Sequence, residues 1–478
     1  MILFIMYRCF YSEEFVMVSK SAAIILAAGD SFRMKSALPY VMTRLLSKPM
    51  LEWVITAVKR SGVGDIAVIS SSDDNAVANF VRGSCEIFVQ SEPHGTAHAT
   101  MQAKSFIERN NDKNILVMNG DSPLMDAETI RNALGVQIMN GNDCTVISAK
   151  VEKPFGYGRI VRDSEGNFIE IIEERDAASH IKKIDEISSG AYWFRAEALG
   201  RALDAIDPRK SGEYNLVDAI SWMVKNNYTV GTSFAARPEI VLGANDRNQL
   251  HELNHIARRS LIEKHLEAGV DIPSFESILI GPDVEIGMDT TILPGTIIRG
   301  KVKIGKNCHI GPNTLIENSI IGDEVTLNTV QCYNSTVKRG ANIGPFVHIR
   351  PNSVVGENVH LGNFVEVKNS NIDTGTKVSH LTYVGDSDVG KHVNFGCGTV
   401  TVNYNGKHKF RTKIMDNAFI GCNTNLIAPV TVGEGAYTAA GSTITEDVPD
   451  AALGIARARQ VNKIGWKLEK VTEDEQIT

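Results

Sequence analysis

From Ile280 onward the apolar positions fall at a fixed interval. Ile280, Ile286, Ile292, Ile298, Ile304, Ile310 and Ile316 stand six apart. The step resets at Ile321 and runs to Leu327. It returns at Ile343, Ile349, Val355, Leu361 and Val367, then at Ile372, Val378 and Val384. A last run is Ile420, Leu426, Val432, Thr438 and Ile444. Gly follows many of these positions, among them Gly287, Gly311, Gly344, Gly356 and Gly362. Each step predicts a short strand and a tight turn, with the apolar residue facing a narrow axis and Gly taking turn conformations that a Cβ resists. Three steps make one coil, and stacked coils bury a continuous aliphatic ladder. The region 280–444 therefore reads as a parallel β-helix.

The first half has a different pattern. Ala22–Leu26 is a continuous apolar run ending at Ala27-Ala28-Gly29, the signature of a buried parallel strand. Pro49–Lys59 reads as a helix, and Ile66–Ser70, Ile115–Met118 and Cys144–Ala149 as further strands. Strands alternating with helical stretches predict a doubly wound, Rossmann-like α/β sheet over 22–246. The segment 247–270 is polar, free of Pro, and carries Leu250, Leu253, Ile256 and Leu261 at helical spacing, as a connecting helix would. The β-helix domain then spans 271–455 and a C-terminal tail 456–478, whose last stretch, Leu468–Thr478, is polar and acidic.

A chain of 478 residues exceeds one compact domain, in keeping with this division. Its net charge of −7 offers no basic stripe for nucleic acid. The seven cysteines form no Cys-x-x-Cys pair or His/Cys cluster, which speaks against structural zinc and for a reducing, cytoplasmic setting. The apolar stretch in residues 1–21 is interrupted by Arg8, Glu13 and Glu14 and is too broken to span a membrane. It reads as an extension without ordered structure, or as an over-early start with Met17 as the first residue.

Gly362-Asn363-Phe364-Val365-Glu366-Val367-Lys368, His380-Leu381-Thr382-Tyr383 and Asn403-Tyr404-Asn405-Gly406 carry a resemblance. With the LAAG segment and the hexapeptide ladder, the chain from about Ala22 to Trp466 resembles the bacterial bifunctional N-acetylglucosamine-1-phosphate uridylyltransferases/glucosamine-1-phosphate acetyltransferases. The resemblance implies that the β-helix is left-handed and trimeric. It also implies that glucosamine 1-phosphate is acetylated from acetyl-CoA, and that the product reacts with UTP and Mg²⁺.

For uridylyl transfer the resemblance points to Leu26, Ala27, Ala28, Gly29, Gln90, Gly95, Thr96, Gly158, Glu173, Ser188 and Asn245 around the nucleotide sugar. Arg33 is the catalytic cation, and Asp121 and Asn245 are the Mg²⁺ ligands. A carboxylate and an amide oxygen suit a hard cation that takes few protein ligands. Several positions depart from the family. Ser31-Phe32 replaces Gly-Thr in the phosphate loop, Tyr40 replaces a lysine, Asn119 stands where an aromatic residue is frequent, and Ser188 replaces Asn. Lys35, Arg44 or Lys48 are candidates to compensate for the lost lysine.

For acetyl transfer it makes His380 the general base, a role that suits an imidazole. Glu366 and Lys368 are expected two coils before it. Arg350, Lys368, Tyr383 and Asn394 bind glucosamine 1-phosphate. Cys397, Asn403, Tyr404, Lys409, Cys422, Ala440 and Arg457 bind acetyl-CoA, with Asn403, Tyr404 and Lys409 on an insertion that reaches a neighbouring subunit. Cys397 and Cys422 replace the family's usual Ala and Ser.

Two other readings compete. The first domain is impaired and only acetyl transfer remains, or the chain is a non-catalytic scaffold of the same architecture. The intact His380 motif opposes the second, since a scaffold needs no base.

Overall fold

A computed structural model describes residues 21–29, 32–71 and 75–466. Expectations for residues 1–20 and 467–478, and for Asp30 and Ser31 of the phosphate loop, fall outside the described residues. The chain divides into two compact units at Ser260/Leu261, inside the expected connecting helix.

The first unit is built on a mainly parallel sheet. Its path runs through β1 (Ser21–Leu26), β2 (Asp65–Ser71), β3 (Glu86–Gln90), β4 (Asn114–Asn119), β5 (Cys144–Lys150), β6 (Glu186–Arg195) and β7 (Val230–Phe234). In space the order is β7-β5-β6-β4-β1-β2-β3, with β6 antiparallel to β4 and β5. All of β1 is buried because helices cover both faces of the sheet, as its unbroken apolar run requires. The carboxyl ends of β1 and β4 lie side by side, with Leu26 opposite Asn119 and the Gly120 N–H donating to Leu26 O at 2.8 Å. This places Ala27–Gly29 and Asn119–Asp121 on one edge, where open α/β sheets bind ligands. Near the end of the unit, the helix Arg247–Glu267 packs Leu250, Leu253 and Ala257 against Met34, Leu45 and Met50.

The second unit is a stack of coils whose strands are mostly two or three residues long. Every strand pair is parallel, and the inward column climbs in register, as in Ile280–Ile298–Ile316. Almost all the expected ladder residues are buried in one continuous core, and Ile262 of the connecting helix joins it. Burying each such side chain is worth about 1.5–3 kcal/mol.

Two expectations need correction. Gly311 and Gly344 do have positive φ, but Gly287, Gly356 and Gly362 do not. These three are required by stacking: a Cβ on Gly362 would stand 1.9 Å from Ser379 O on the next coil, and one on Gly356 2.7 Å from Ile372 O. The left-handed corners are instead taken largely by asparagines such as Asn307, Asn313, Asn352, Asn358 and Asn423, the residue type after Gly that best tolerates that conformation. Second, the ladder does not lapse between Val384 and Ile420. Val389, Phe395, Thr401 and Ile414 continue it, interrupted only by the loop after Asn403.

Candidate functional sites

In the first unit a cavity of about 170 Å³ opens at the edge described above. Thr96, Asp121, Gly158, Glu173, Ser188 and Asn245 line it, six of the residues expected there. Asp121 and Asn245 are held together by the Ala244 N–H, which donates to Asp121 O at 3.1 Å. The Arg33 guanidinium donates to Asn245 Oδ1 at 2.7 Å. Burial pushes the Asp121 carboxyl up to about 6, against the pull of Arg33 and the Ser122 hydroxyl. A buried carboxylate only partly compensated, with an amide oxygen held beside it, fits a hard divalent cation. Among the described residues no cluster of three or more His, Cys, Asp or Glu offers a competing metal site.

Leu26, Ala27, Ala28 and Gly29 are at the sheet edge, but the Ala27 N–H is already committed to Ile69 O at 2.8 Å. Tyr40 covers Gly29: a Cβ there would come 2.9 Å from Tyr40 Cε1 and 3.0 Å from its hydroxyl. Burial and the Asp121 charge push the Tyr40 phenol well above its ordinary range. Of the candidates to compensate, Arg44 donates to Ser47 O and Lys48 pairs with Glu52. Gln90 ends β3 and faces Gly95 at the start of the short helix Thr96–Met101.

Several lining residues were not singled out from the sequence, including Tyr157, Ser189, Gly190 and Tyr192. The register of β6 shifts between Ser188 and Tyr192. Ser-Ser-Gly inside an apolar strand is the signal that could have marked this bulge, a feature common beside active sites.

In the second unit the site lies on two long strands, β8 (His360–Lys368) and β9 (Lys377–Gly385). They pair directly, Asn363 opposite His380 and Glu366 opposite Tyr383. Glu366 and Lys368 are thus one coil from His380, not two. The missed residue is Asn363, whose Oδ1 stands 2.9 Å from His380 Nδ1. An Nδ1–H donating to that oxygen leaves Nε2 unprotonated and aimed outward from an exposed ring, as a general base requires. A 17-residue offset between Gly362-Asn363 and Ser379-His380 was the available clue.

Arg350, Lys368 and Lys409 converge. Arg350 bonds Glu366 Oε1 at 2.9 Å. Lys409 beside Lys368 pushes the Lys368 ammonium below its ordinary value. Crowded cations of this kind are relieved by an anion such as a phosphate. Lys409, expected among the acetyl-CoA contacts, therefore lies beside Lys368 of the same chain. Asn403 is buried, donating to Asp386 Oδ2, with its amide nitrogen 3.5 Å from the Tyr383 hydroxyl.

Strand register then orders the remaining residues. Lys377 opposite Asn394 and Tyr383 opposite Val400 place Cys397 beneath His380. Phe395 opposite Ile420 and Val400 opposite Asn425 place Cys422 beneath Cys397. Phe419 opposite Tyr437 places Ala440 next. Asn363, His380, Cys397, Cys422 and Ala440 thus form one column over five coils. Asn394 lies three residues before that column, while Tyr404 and Arg457 are exposed beside the stack.

Comparison with known proteins adds to this geometry. Residues 22–236 match the nucleotidyl transferase family. Residues 280–318, 334–369 and 411–446 match bacterial transferase hexapeptide repeats, in keeping with a left-handed β-helix. A bifunctional protein GlmU of Clostridioides difficile is 44% identical over 455 residues, 95% of this chain and 99% of the relative. The Thermoanaerobacter pseudethanolicus GlmU is 45% identical over 94% of this chain and 98% of its own length. The GlmU of Halalkalibacterium halodurans is 44% identical over 95% of this chain and all of its own.

Proposed function

The chain belongs to the family of bifunctional GlmU proteins, and on that premise we propose that it makes UDP-N-acetylglucosamine by acetyl transfer followed by uridylyl transfer. The column below His380, flush with the cation cluster at Lys368, is the observation that carries this reading. It offers a base, an anion site and a line of small side chains for a long acyl donor.

In the first step the amine of glucosamine 1-phosphate attacks the thioester carbonyl of acetyl-CoA. An N–C bond forms, the C–S bond breaks, His380 Nε2 takes the amine proton, and the CoA thiolate leaves. Asn363 holds the ring in the tautomer that can accept this proton. Arg350, Lys368 and Lys409 hold the phosphate, and Tyr383 and Asn394 the sugar. Acetyl-CoA runs along Cys397, Cys422 and Ala440, flanked by Tyr404 and Arg457.

In the second step a phosphate oxygen of N-acetylglucosamine 1-phosphate attacks the α-phosphorus of UTP, and pyrophosphate leaves. Thr96, Gly158, Glu173 and Ser188 line the sugar-nucleotide pocket, and Gln90 and Gly95 meet the base. Arg33 neutralises phosphate charge. Asp121 and Asn245 would hold Mg²⁺, whose contribution is to neutralise the triphosphate. Separate assays of the two half-reactions on purified protein test the whole reading, and absence of both activities would overturn it.

A second reading, acetyl transfer with weakened uridylyl transfer, is favoured by one observation: Tyr40 lies over Gly29 where a cation is usual. Tyr40→Lys should then raise uridylyl turnover by about tenfold or more, roughly what one preorganised charge supplies. An unchanged turnover number would count against this view of position 40.

We further place the working enzyme in the cytoplasm as a homotrimer with sites between neighbouring β-helices. Phe346, Phe364 and Leu381 are more than half exposed and all in the left-handed backbone region. The two rings stack with centroids 5.3 Å apart. Bulky side chains pay for that conformation, and an exposed apolar ridge beside Asn363 and His380 suits coverage by another copy. Phe364→Asp should shift the sedimenting species from trimer toward monomer and depress acetyl transfer while sparing uridylyl transfer. A trimer of full activity would refute the assignment. Among the described residues no helix is long and apolar enough to cross a membrane.

A further inference from the structure

Asp386 follows β9 directly, at a corner of the coil, with its backbone in the left-handed region at φ 48°. Lys368 opposite Gly385 stacks it on Asn369 of the coil before, and Tyr383 opposite Val400 stacks Asn403 on it from the coil after. The buried carboxylate joins all three: the Asn369 amide donates to Oδ1 and the Asn403 amide to Oδ2. Asn369 and Asp386 both turn the corner in the left-handed conformation, whereas Asn403 does not. There the chain leaves the stack, to rejoin it at Thr412. The excursion is a hairpin. The Phe410 N–H donates to Asn403 O at 2.9 Å, and the Asn405 side chain closes the tip on the N–H groups of Lys407 and His408 at 3.0 and 2.8 Å.

Both stems of this hairpin end on Asp386. Its carboxylate takes the Asn403 side chain, and its carbonyl accepts from the Thr412 N–H at 3.1 Å. The second stem is tied again by Arg411, which donates to Asn369 O and to Asp388. The Asn403 side chain has, among the described residues, one other contact, the Tyr383 hydroxyl at 3.5 Å. The hairpin carries Lys409 to the side of Lys368. Two ammonium groups repel, so the hairpin stays closed only if it is tethered. A charge-assisted bond to a buried carboxylate is a strong tether. We infer that Asp386 is the positioning residue that clasps the hairpin to the stack and so keeps Lys409 beside Lys368 for the phosphate of the acceptor sugar. The inference rests on the acetyl-transfer reading above, in which those two cations hold that phosphate. Asp386 itself touches no substrate there.

Glycine and asparagine both tolerate the left-handed backbone, so either can replace Asp386 without strain at the corner. Of the two, only asparagine keeps a side chain that bridges: its oxygen accepts from Asn403, and its NH₂ donates to Asn369 once that amide turns over. The test compares Asp386→Gly and Asp386→Asn in the full chain. Acetyl transfer is measured with glucosamine 1-phosphate varied at saturating acetyl-CoA, and cutting after Lys407 and Lys409 is followed with trypsin. Thermal unfolding checks the fold. Asp386→Gly should raise the KM for glucosamine 1-phosphate about tenfold, the worth of one hydrogen bond, with a smaller change in kcat. Tryptic cutting of the hairpin should quicken by a similar factor. Asp386→Asn should restore both toward wild type, although it lacks the charge. Asp386→Ser, too short to reach both asparagines, serves the same comparison should the glycine variant not fold. A folded glycine variant in which either the KM or the cutting rate is unchanged would overturn the inference, as would an asparagine variant as poor as the glycine one. A wild-type chain without acetyl transfer would overturn the acetyl-transfer reading first, and this inference with it.

Discussion

Asp121→Asn should abolish uridylyl transfer, by about a thousandfold or more, while leaving acetyl transfer intact. The substitution keeps the shape of the side chain but removes the carboxylate that lines the cavity with Asn245, the partner of Arg33. Electrostatic terms of this kind are among the largest that a site contributes to phosphoryl-type transfer. The same change should stabilise the first unit in metal-free buffer. Burial raises the folded-state carboxyl to about 6 from an ordinary 3.8, so the native state prefers the protonated form. The sign follows: stability falls as pH rises from about 4 through about 6, and above that the full cost is present. The difference corresponds to an order of 2–3 kcal/mol at neutral pH. Thermal unfolding of the variant at pH 7.5, compared with wild type in chelator, reads it out as a shift of several degrees upward. At a pH near 4 the two proteins should unfold together. A variant that is destabilised at neutral pH, or that retains uridylyl transfer, contradicts the placement of Asp121.

His380→Ala should lower acetyl transfer by about 10²–10⁴-fold, the usual range for a positioned base, with uridylyl transfer unchanged. Asn363→Ala should reproduce part of that loss, since without Oδ1 at 2.9 Å nothing among the described residues holds the ring in its Nδ1–H tautomer. The split between the two activities is decisive. If both fall together in a stable protein, the β-helix is not the seat of acetyl transfer.

The architecture of both units was legible because each follows one short rule. A run such as Ala22–Leu26 can be buried on two faces only inside a covered sheet, and a strict six-residue ladder can close only as a coil. What escaped was register. Asn363 gives no sign of its role until one counts 17 residues to His380, a relation made by stacking rather than by sequence proximity. Thr401 hid within the ladder because its hydroxyl, which donates to Gly385 O at 3.0 Å, lets a polar residue sit at a core position. The glycines of the repeat were read for their torsional freedom, whereas the backbone of the adjoining coil is what forbids a side chain at Gly362. Tyr40 was legible as a departure, but only the fold shows that its ring lies over Gly29.

The column from Asn363 to Ala440 also makes the β-helix a ruler. Neighbouring coils are spaced by about 4.8 Å, so the reach from His380 to Ala440 is three spacings, roughly 14 Å. Length along the axis is therefore counted in whole coils, and bearing around the axis in single residues. A whole coil added or removed upstream of Gly340 would alter the length of the rod and leave the column untouched. One residue deleted between Asn363 and Cys397 would turn His380 off the line altogether. The loop after Asn403 obeys the same arithmetic: it leaves the stack and returns to it without breaking alignment, as Val400 opposite Asn425 shows.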